Sequence, residues 1–441
     1  MGRGPAEPMA AVAPTLTPTA YRTRIVEANA ARILRTAPAL LVEGPKGCGK
    51  TWLAKRFARS EVMLDQDPAA LALARAEPSR ILEGATPRLL DEWQLVPPLW
   101  GVVRGACDHR AAPGQFILTG SATPADDLTR HSGALRVQRL DLRTMSLAEA
   151  GLSSEAVSLA GLLAGGPCSA DPTGRGVRET VDALCRGGWP GFEADMPVTD
   201  ISNALRSYLG DIARSDIRQV DGVRRDPRRV AALLRSLARN VGTAASLNKL
   251  AAEAGAAESG GDLRLGRHSV RDYLDALERL HVIEPLPAWP THLRSRSPLL
   301  RGPKHHFCDP SLAVAALRAA PTLLLDDTET LGLLFESLVI RDLRIYAQAS
   351  DAEVYAFSDA TGAEADAIVD GGDGRWIAVE VKLGGQDNID KAALSLRRVA
   401  SKVDESRKGA AAALVVITAA DGYAYQRTDG VCVVPIFTLG P

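Results

Sequence analysis

The stretch LLVEGPKGCGKTWLAKRF, residues 40–57, places Gly44, Gly47, Gly49, Lys50 and Thr51 directly behind an apolar run and ahead of a helix-forming one. Few patterns constrain a fold more. Between a strand and a helix, GxxxxGK[ST] lets successive backbone N–H groups turn inward, while the helix N-terminus points its positive dipole end at the same spot. That cradle suits the phosphates of a nucleotide. Gly44, Pro45, Lys46, Gly47, Cys48 and Gly49 surround the anion, Lys50 reaches the β and γ oxygens, and Thr51 ligates Mg2+. Mg-ATP is the ligand this spacing predicts, and a parallel α/β sheet is the fold around it.

Such a loop needs an acid on a neighbouring strand to hold the metal. RLLDEW supplies Asp91 for Mg2+, with Glu92 beside it to polarise an attacking water. QFILTGSAT reads as a strand whose Thr119 and Ser121 hydroxyls face the γ-phosphate. For an arginine finger the candidate is Arg136, in HSGALRVQRLDLRTMSLAE, with Arg130 and Arg139 as rivals.

The rest of the chain is long enough for further domains. With 441 residues and 46% hydrophobic content it can bury several cores. A net charge of −1 gives no global pull toward nucleic acid, so any DNA contact must come from a local patch. Six cysteines without a CxxC pair read as free thiols in a reducing compartment. With no uncharged apolar run near membrane-spanning length, the expectation is a cytoplasmic protein that engages no membrane.

Composition and periodicity divide the chain. Residues 1–20, rich in Pro, Ala and Thr, are expected to form a disordered tail, and 21–160 the nucleotide-binding domain. The Gly- and Pro-rich segment at 161–177 reads as a linker, and 178–242 as a helical region. At 243–290, SLNKLAAEAG, HSVRDYLDALERL and HVIEPLPAW follow the order of a winged helix-turn-helix. Arg264, Arg267, His268 and Arg271 make a basic start to its second helix, which suits phosphate contact, though the same module also serves protein partners. Residues 291–441 form a second α/β domain.

Taken in order, GPKGCGKTWL, LLDEWQLVPPLW, GQFILTGSAT, LRVQRLDLRTMSLAE, CRGGWPGF, YLGDIARSDI, HFCDPSLA, LLFESLVIRDL and AVEVKLG resemble the prokaryotic ATP-binding proteins that join an AAA-type ATPase to a DUF4143 domain. The resemblance covers about residues 21 to 400. It implies an ATPase core, a helical and winged-helix middle, and a C-terminal domain similar to PD-(D/E)xK nucleases. Trp93 stands where those proteins have an aliphatic residue, and Leu135-Arg136 where they have Gly-Arg.

The nuclease-like arrangement gives meaning to WIAVEVKLGG. Period-2 alternation puts Glu380 and Lys382 on one face of a strand. The resemblance implies that Asp366 and Glu380 share a divalent metal with the carbonyl of Val381, that Lys382 orients the water, and that Glu336, on a helix, completes the catalytic set with Glu92 serving the other site. His305, His306, Cys308 and Asp309 form a weaker metal candidate. Two functions follow. One is an ATPase coupled to a DNA-processing, nuclease-like C-terminal domain. The other is an ATP-gated DNA- or protein-binding switch with an inactive nuclease fold.

Overall fold

The computed structural model describes residues 21–121, 133–256, 265–290, 302–359 and 361–441. The expected tail, Arg130 and Arg264 lie outside these residues.

The N-terminal unit runs α1 (Glu27–Thr36), β1 (Ala39–Glu43), α2 (Lys50–Lys55), β2 (Ser60–Met63), α3 (Pro68–Ala76), β3 (Arg88–Asp91), α4 (Leu99–Arg110), β4 (Phe116–Gly120) and β5 (Val137–Asp141). Its five described strands lie in the order β2-β3-β4-β1-β5, all parallel. Strands buried on both faces read as continuous apolar runs, and ALLVE and FILTG are buried throughout. One face packs Leu41, Leu90 and Leu118 with Trp93 and Trp100, whose rings lie 5.2 Å apart. Trp93 therefore replaces an aliphatic residue as a core anchor. The other face packs Leu40, Leu89 and Ile117 against Leu53.

Next come β6 (Val157–Ser158), α5 (Leu159–Leu163), α6 (Val177–Arg186), α7 (Val198–Asp211), a π turn at Ile212–Asp216, α8 (Ile217–Gln219), α9 (Pro227–Arg239), α10 (Leu247–Ala256) and α11 (Arg267–Arg279). The segment expected as a linker starts inside α5, buries Cys168, and bridges Ala424 through Ala170. It is packed chain rather than a free tether. An antiparallel ribbon follows, β7 (Ile283–Leu286) on β8 (Lys304–Phe307), then α12 (Pro310–Leu317), α13 (Pro321–Asp326) and the long α14 (Thr328–Ala349).

The C-terminal sheet takes β9 (Glu353–Ser358), β10 (Glu364–Asp370), β11 (Trp376–Lys382), then α15 (Gln386–Lys402), α16 (Glu405–Lys408), β12 (Ala413–Thr418), β13 (Tyr425–Gln426), β14 (Cys432–Pro435), with β15 (Leu439–Gly440) returning to pair with β6. Its order is β13-β14-β12-β11-β10-β9, antiparallel around β10 and parallel from β11 to β14. Ile377, Val379 and Val381 join the large core that also holds the middle helices and α14, while Trp376 and Ala378 pack under α15.

One charged network ties these units together. Asp309, fully buried, accepts from Thr144 Oγ1 at 2.7 Å, Gly188 N at 2.9 Å, Ser311 N at 3.0 Å and Arg341 Nη1 at 3.1 Å. Arg341 also meets Asp342 at 2.7 Å, and Asp342 accepts the Leu147 amide at 2.9 Å. Burial pushes the Asp309 carboxyl up, but Arg341 and the hydrogen bonds outweigh it and hold it below the usual range. Asp309 is thus committed to this network and the metal reading of His305, His306, Cys308 and Asp309 falls. His306 is buried with its Nδ1 on Ser337 Oγ at 3.2 Å.

Removing one partner of a buried pair leaves the other charge uncompensated, so Asp309→Ala is expected to cost about 3–5 kcal/mol or prevent folding. Urea denaturation monitored by circular dichroism checks this; a variant within about 1 kcal/mol of the parent would contradict the network's role.

Candidate functional site

Because the N-terminal sheet is wholly parallel, the carboxyl ends of β1, β3 and β4 lie along one edge, where open α/β sheets hold ligands. The loop after β1 turns through positive φ at Gly44, Gly47 and Gly49 (151°, 85° and 103°). A side chain at Gly44 would put Cβ 2.0 Å from the Leu142 carbonyl oxygen, so that position admits only glycine. Lys50, buried at the start of α2, donates from Nζ to the carbonyls of Gly44 and Pro45, both at 2.9 Å. Its charge is therefore held over the loop mouth, within the loop's own oxygens.

Asp91 ends β3 and is met by two hydroxyls. Thr51 Oγ1 donates to its Oδ1 at 3.0 Å, and Thr119 Oγ1 donates to the same oxygen. Burial pushes the Asp91 carboxyl up, opposed by those two hydrogen bonds. A hydroxyl and a buried carboxylate facing each other beside a phosphate cradle fit the donor set of Mg2+, and Thr51 and Asp91 are the residues that would hold it. Glu92 adopts a left-handed conformation, φ 54°, and its Oε2 accepts from Ser121 Oγ at 3.1 Å and from Gln94 Nε2. Such backbone strain clusters at functional sites. Thus Lys50, Thr51, Asp91, Glu92, Thr119 and Ser121 lie at or just beyond the carboxyl ends of β1, β3 and β4.

Arg136 does not join them. It precedes β5 at the strand's amino end, and since β5 runs parallel to β1 with Val137 opposite Ala39, it sits at the far edge of the sheet. There its Nε donates to Asp108 Oδ1 at 2.7 Å. Five residues of strand, about 16 Å, separate that edge from the loop. Arg139 comes nearer, pairing with Glu43. Leu135 keeps φ 66°, the conformation glycine favours, although it is leucine and 91% exposed.

Contacts from elsewhere in the chain brace the loop. Arg24 is buried and donates to the Cys48 carbonyl at 2.9 Å, the Arg143 carbonyl at 2.8 Å and Glu149 at 3.1 Å. Trp189, from CRGGWPGF, packs beside Gly47 and lies 5.3 Å from the Tyr208 ring. Lys46 faces Asp216 at 3.9 Å. The middle helices therefore buttress the phosphate loop.

A second constellation lines a cleft of about 450 Å³ between β8, α14 and the C-terminal sheet. Glu380 and Lys382 do share a face, with Lys382 Nζ 2.6 Å from Glu380 Oε2. A bulge in β10 between Ala365 and Ile368 re-aims Asp366, which accepts the Val381 amide at 2.8 Å. Lys382 Nζ also lies 3.7 Å from Asp366 Oδ2. Lys304, which the sequence did not single out, stands 3.0 Å from Glu336 Oε1 and 3.8 Å from Asp366 Oδ1. The result is a string of alternating acidic and basic groups, Glu336, Lys304, Asp366, Lys382, Glu380.

Asp366 and Glu380, the pair expected to share a metal, have the Lys382 ammonium between them. Among the described residues no three His, Cys, Asp or Glu side chains converge to hold an ion. Ammonium groups stand between the carboxylates, and at Val381 it is the N–H that faces Asp366. Burial and repulsion from Asp366 push Glu336 up to about 8 against the pull of Lys304, and push Glu380 up to about 7 against that of Lys382.

The loop, Lys50, Thr51 and Asp91 on a parallel sheet define the N-terminal unit as a P-loop nucleotide-binding fold. Comparison with known families agrees: residues 36–151 match the AAA domain, 331–439 a domain of unknown function, DUF4143, and 177–323 another, DUF8612. The chain thus carries a match to the AAA domain followed by a match to DUF4143, as the motifs implied. Uncharacterized proteins of Mycobacterium bovis and Mycobacterium tuberculosis are each 27% identical over 325 residues, 73% of this chain and 65% of theirs. The match therefore spans just under two thirds of the length of these relatives. A Walker-type ATPase of Pyrococcus abyssi overlays 66% of this chain and 94% of its own at 12% identity and a TM-score of 0.37, too loose a likeness to carry argument. No described helix is long and apolar enough to cross a membrane, and all six cysteines are free and buried.

The raised carboxyls set a pH dependence. A folded-state value above the unfolded one means the native state binds more protons between the two, so stability is full below about 4.5 and falls as pH rises through 7 to 8. The double variant Glu336→Gln, Glu380→Gln is expected to flatten that fall. Urea midpoints at pH 5, 6, 7 and 8 check it; parallel curves for variant and parent would remove the assignment.

Proposed function

We propose that the chain binds and hydrolyses Mg-ATP at the P-loop and couples the nucleotide state to the carboxylate–lysine cleft of its C-terminal domain. The observation that carries the first half is the meeting of Lys50, Thr51, Asp91 and Glu92 at one sheet edge. On ATP binding, Lys50 exchanges the carbonyls of Gly44 and Pro45 for the β and γ oxygens, a stronger charge-assisted bond. Mg2+ supplies charge neutralisation when held by Thr51 and Asp91. Glu92, freed from Ser121 and Gln94, takes a proton from the attacking water, while Thr119 and Ser121 sense the γ-phosphate.

Coupling has a physical carrier. Leu142 presses on Gly44, and the next residue, Arg143, meets Glu284 of β7 at 3.0 Å, as does Arg344 of α14 at 3.2 Å. Burial pushes Glu284 up, but Arg143 and Arg344 outweigh it and hold it at about 2. Since β7 pairs with β8, with Leu286 opposite Lys304, this junction connects the phosphate loop to the second cleft.

For the cleft, the nuclease reading makes Glu336, Asp366, Glu380 and Lys382 the reactive set toward a phosphodiester. The switch reading makes it an inert fold used for binding. The ammonium groups already neutralising the carboxylates favour the switch. In either reading the exposed Arg267, His268 and Arg271 of α11 offer a DNA backbone a basic face.

Lys50→Ala is expected to abolish Mg-ATP binding in isothermal calorimetry while the circular dichroism spectrum is kept; unchanged affinity would sink the ATP site. Glu92→Gln is expected to retain ATP and lose turnover by about 10²- to 10⁴-fold in a phosphate-release assay. Turnover at the parent rate would move the base elsewhere.

A further inference from the structure

Lys304 comes from the β7–β8 ribbon, outside the C-terminal sheet, yet its ammonium lies within 4 Å of three carboxylates: Glu336 at 3.0 Å, Glu364 at 3.6 Å and Asp366 at 3.8 Å. Its side chain is only 11% exposed. Attraction to Glu336 and Asp366 outweighs the cost of burial and keeps it charged. The ribbon's position is fixed by backbone. Leu286 pairs with Lys304, and the Gly242 amide donates to the His305 carbonyl at 3.0 Å, with Gly242 so close to Glu336 that an added Cβ would lie 3.5 Å from its carboxyl. Lys304 is therefore delivered to the carboxylates by the middle region and held there.

We propose that Lys304 is a built-in, displaceable counter-ion that occupies the place of a divalent cation and keeps the cleft from taking one up. A hard divalent ion seeks the same carboxylate oxygens, at about 2.0–2.6 Å. An ammonium already bonded to Glu336 and facing Asp366 competes for those oxygens and repels the ion, at a separation where two such charges interact strongly even in a partly solvated cleft. Lys382 differs. It belongs to the C-terminal sheet itself, at the end of β11 and two residues from Glu380. Lys304 belongs to a ribbon tied to the ATPase unit through Glu284, so among the described residues of the cleft it is the cation that another domain can withdraw. Removing it leaves Glu336, Glu364 and Asp366 without their shared ammonium and opens their oxygens to another cation.

This rests on the reading of the cleft as a functional site, and it is tested by metal binding alone, without nucleotide or nucleic acid. In a Thr51→Ala, Asp91→Asn background, so that the P-loop contributes no ion, Mn2+ is titrated calorimetrically and melting temperature is followed with and without Mn2+. Lys304→Met is expected to bind Mn2+ about tenfold or more tightly than the parent and to melt higher with Mn2+ than without. Lys304→Arg, which keeps the charge, should behave as the parent, and adding Asp366→Asn to Lys304→Met should abolish the gain. Should the methionine variant not fold, Lys304→Gln, which keeps a donor for Glu336, gives the same comparison. Mn2+ affinity in Lys304→Met or Lys304→Gln equal to the parent's overturns the proposal. So does tight Mn2+ binding by the parent, which would leave the nuclease reading standing without it. The ATP reading is untouched by either result, because it is judged on Lys50→Ala and Glu92→Gln in the unmodified background.

Discussion

The guanidinium of Arg341, held between Asp309 and Asp342 in the interior, is the interaction on which the rest of this structure depends. Two carboxylates and one cation out of water are tolerable only when every remaining lone pair is satisfied. Here the satisfaction comes from Thr144 and Leu147 of one segment, Gly188 of a second, and Ser311 beside Asp309 itself. Gly188 must be glycine for this, since a Cβ there would lie 2.0 Å from the Met145 carbonyl oxygen. The network therefore fixes where the end of the ATPase domain, the loop after α6, the start of α12 and the long helix α14 stand relative to one another. It explains why LRTMSLAE, CRGGWPGF, HFCDPSLA and FESLVIRDL run through the chain as separate motifs yet act as one. They are the four sides of a single buried charge.

From that junction the two candidate sites follow. On one side, CRGGWPGF lays Trp189 beside Gly47, and the segment after β5 places Leu142 under Gly44 and Arg143 on Glu284. On the other, α14 presents Glu336 to Lys304 and Asp366. A shift of the phosphate loop cannot stay local when its glycine is in van der Waals contact with a residue whose neighbour is bonded to the ribbon. Packed interiors transmit displacement because they have no room to absorb it.

What the sequence made legible is what lies within a few residues along the chain. The phosphate loop, Asp91 with Glu92, and the shared face of Glu380 and Lys382 depend only on spacing and on the period of a strand or helix start. Glu336 and Asp366 came from resemblance, and the structure brings them to one cleft. What was not legible depends on direction and distance. Arg136 looked well placed until the parallel pairing of β5 put it at the wrong edge. The aim of Asp366 depends on a bulge that no local pattern announces. Lys304 reaches Glu336 across 32 residues, Arg24 reaches Glu149 across 125, and Arg143 reaches Glu284 across 141. Asp309 misled for a related reason: a carboxylate beside two histidines and a cysteine looks like a ligand until its partner on α14 is seen.

In the proposed coupling, nucleotide at the P-loop is felt at the second cleft through the Arg143–Glu284 junction. Hydrogen exchange with and without Mg-ATP tests it most directly, because it reads each segment separately. Changed protection is expected at residues 44–51, at 142–147, and also at the β7–β8 ribbon and the first half of α14. Changes confined to the N-terminal sheet and its loop, with 283–307 and 328–345 unaltered at saturating Mg-ATP, would contradict it.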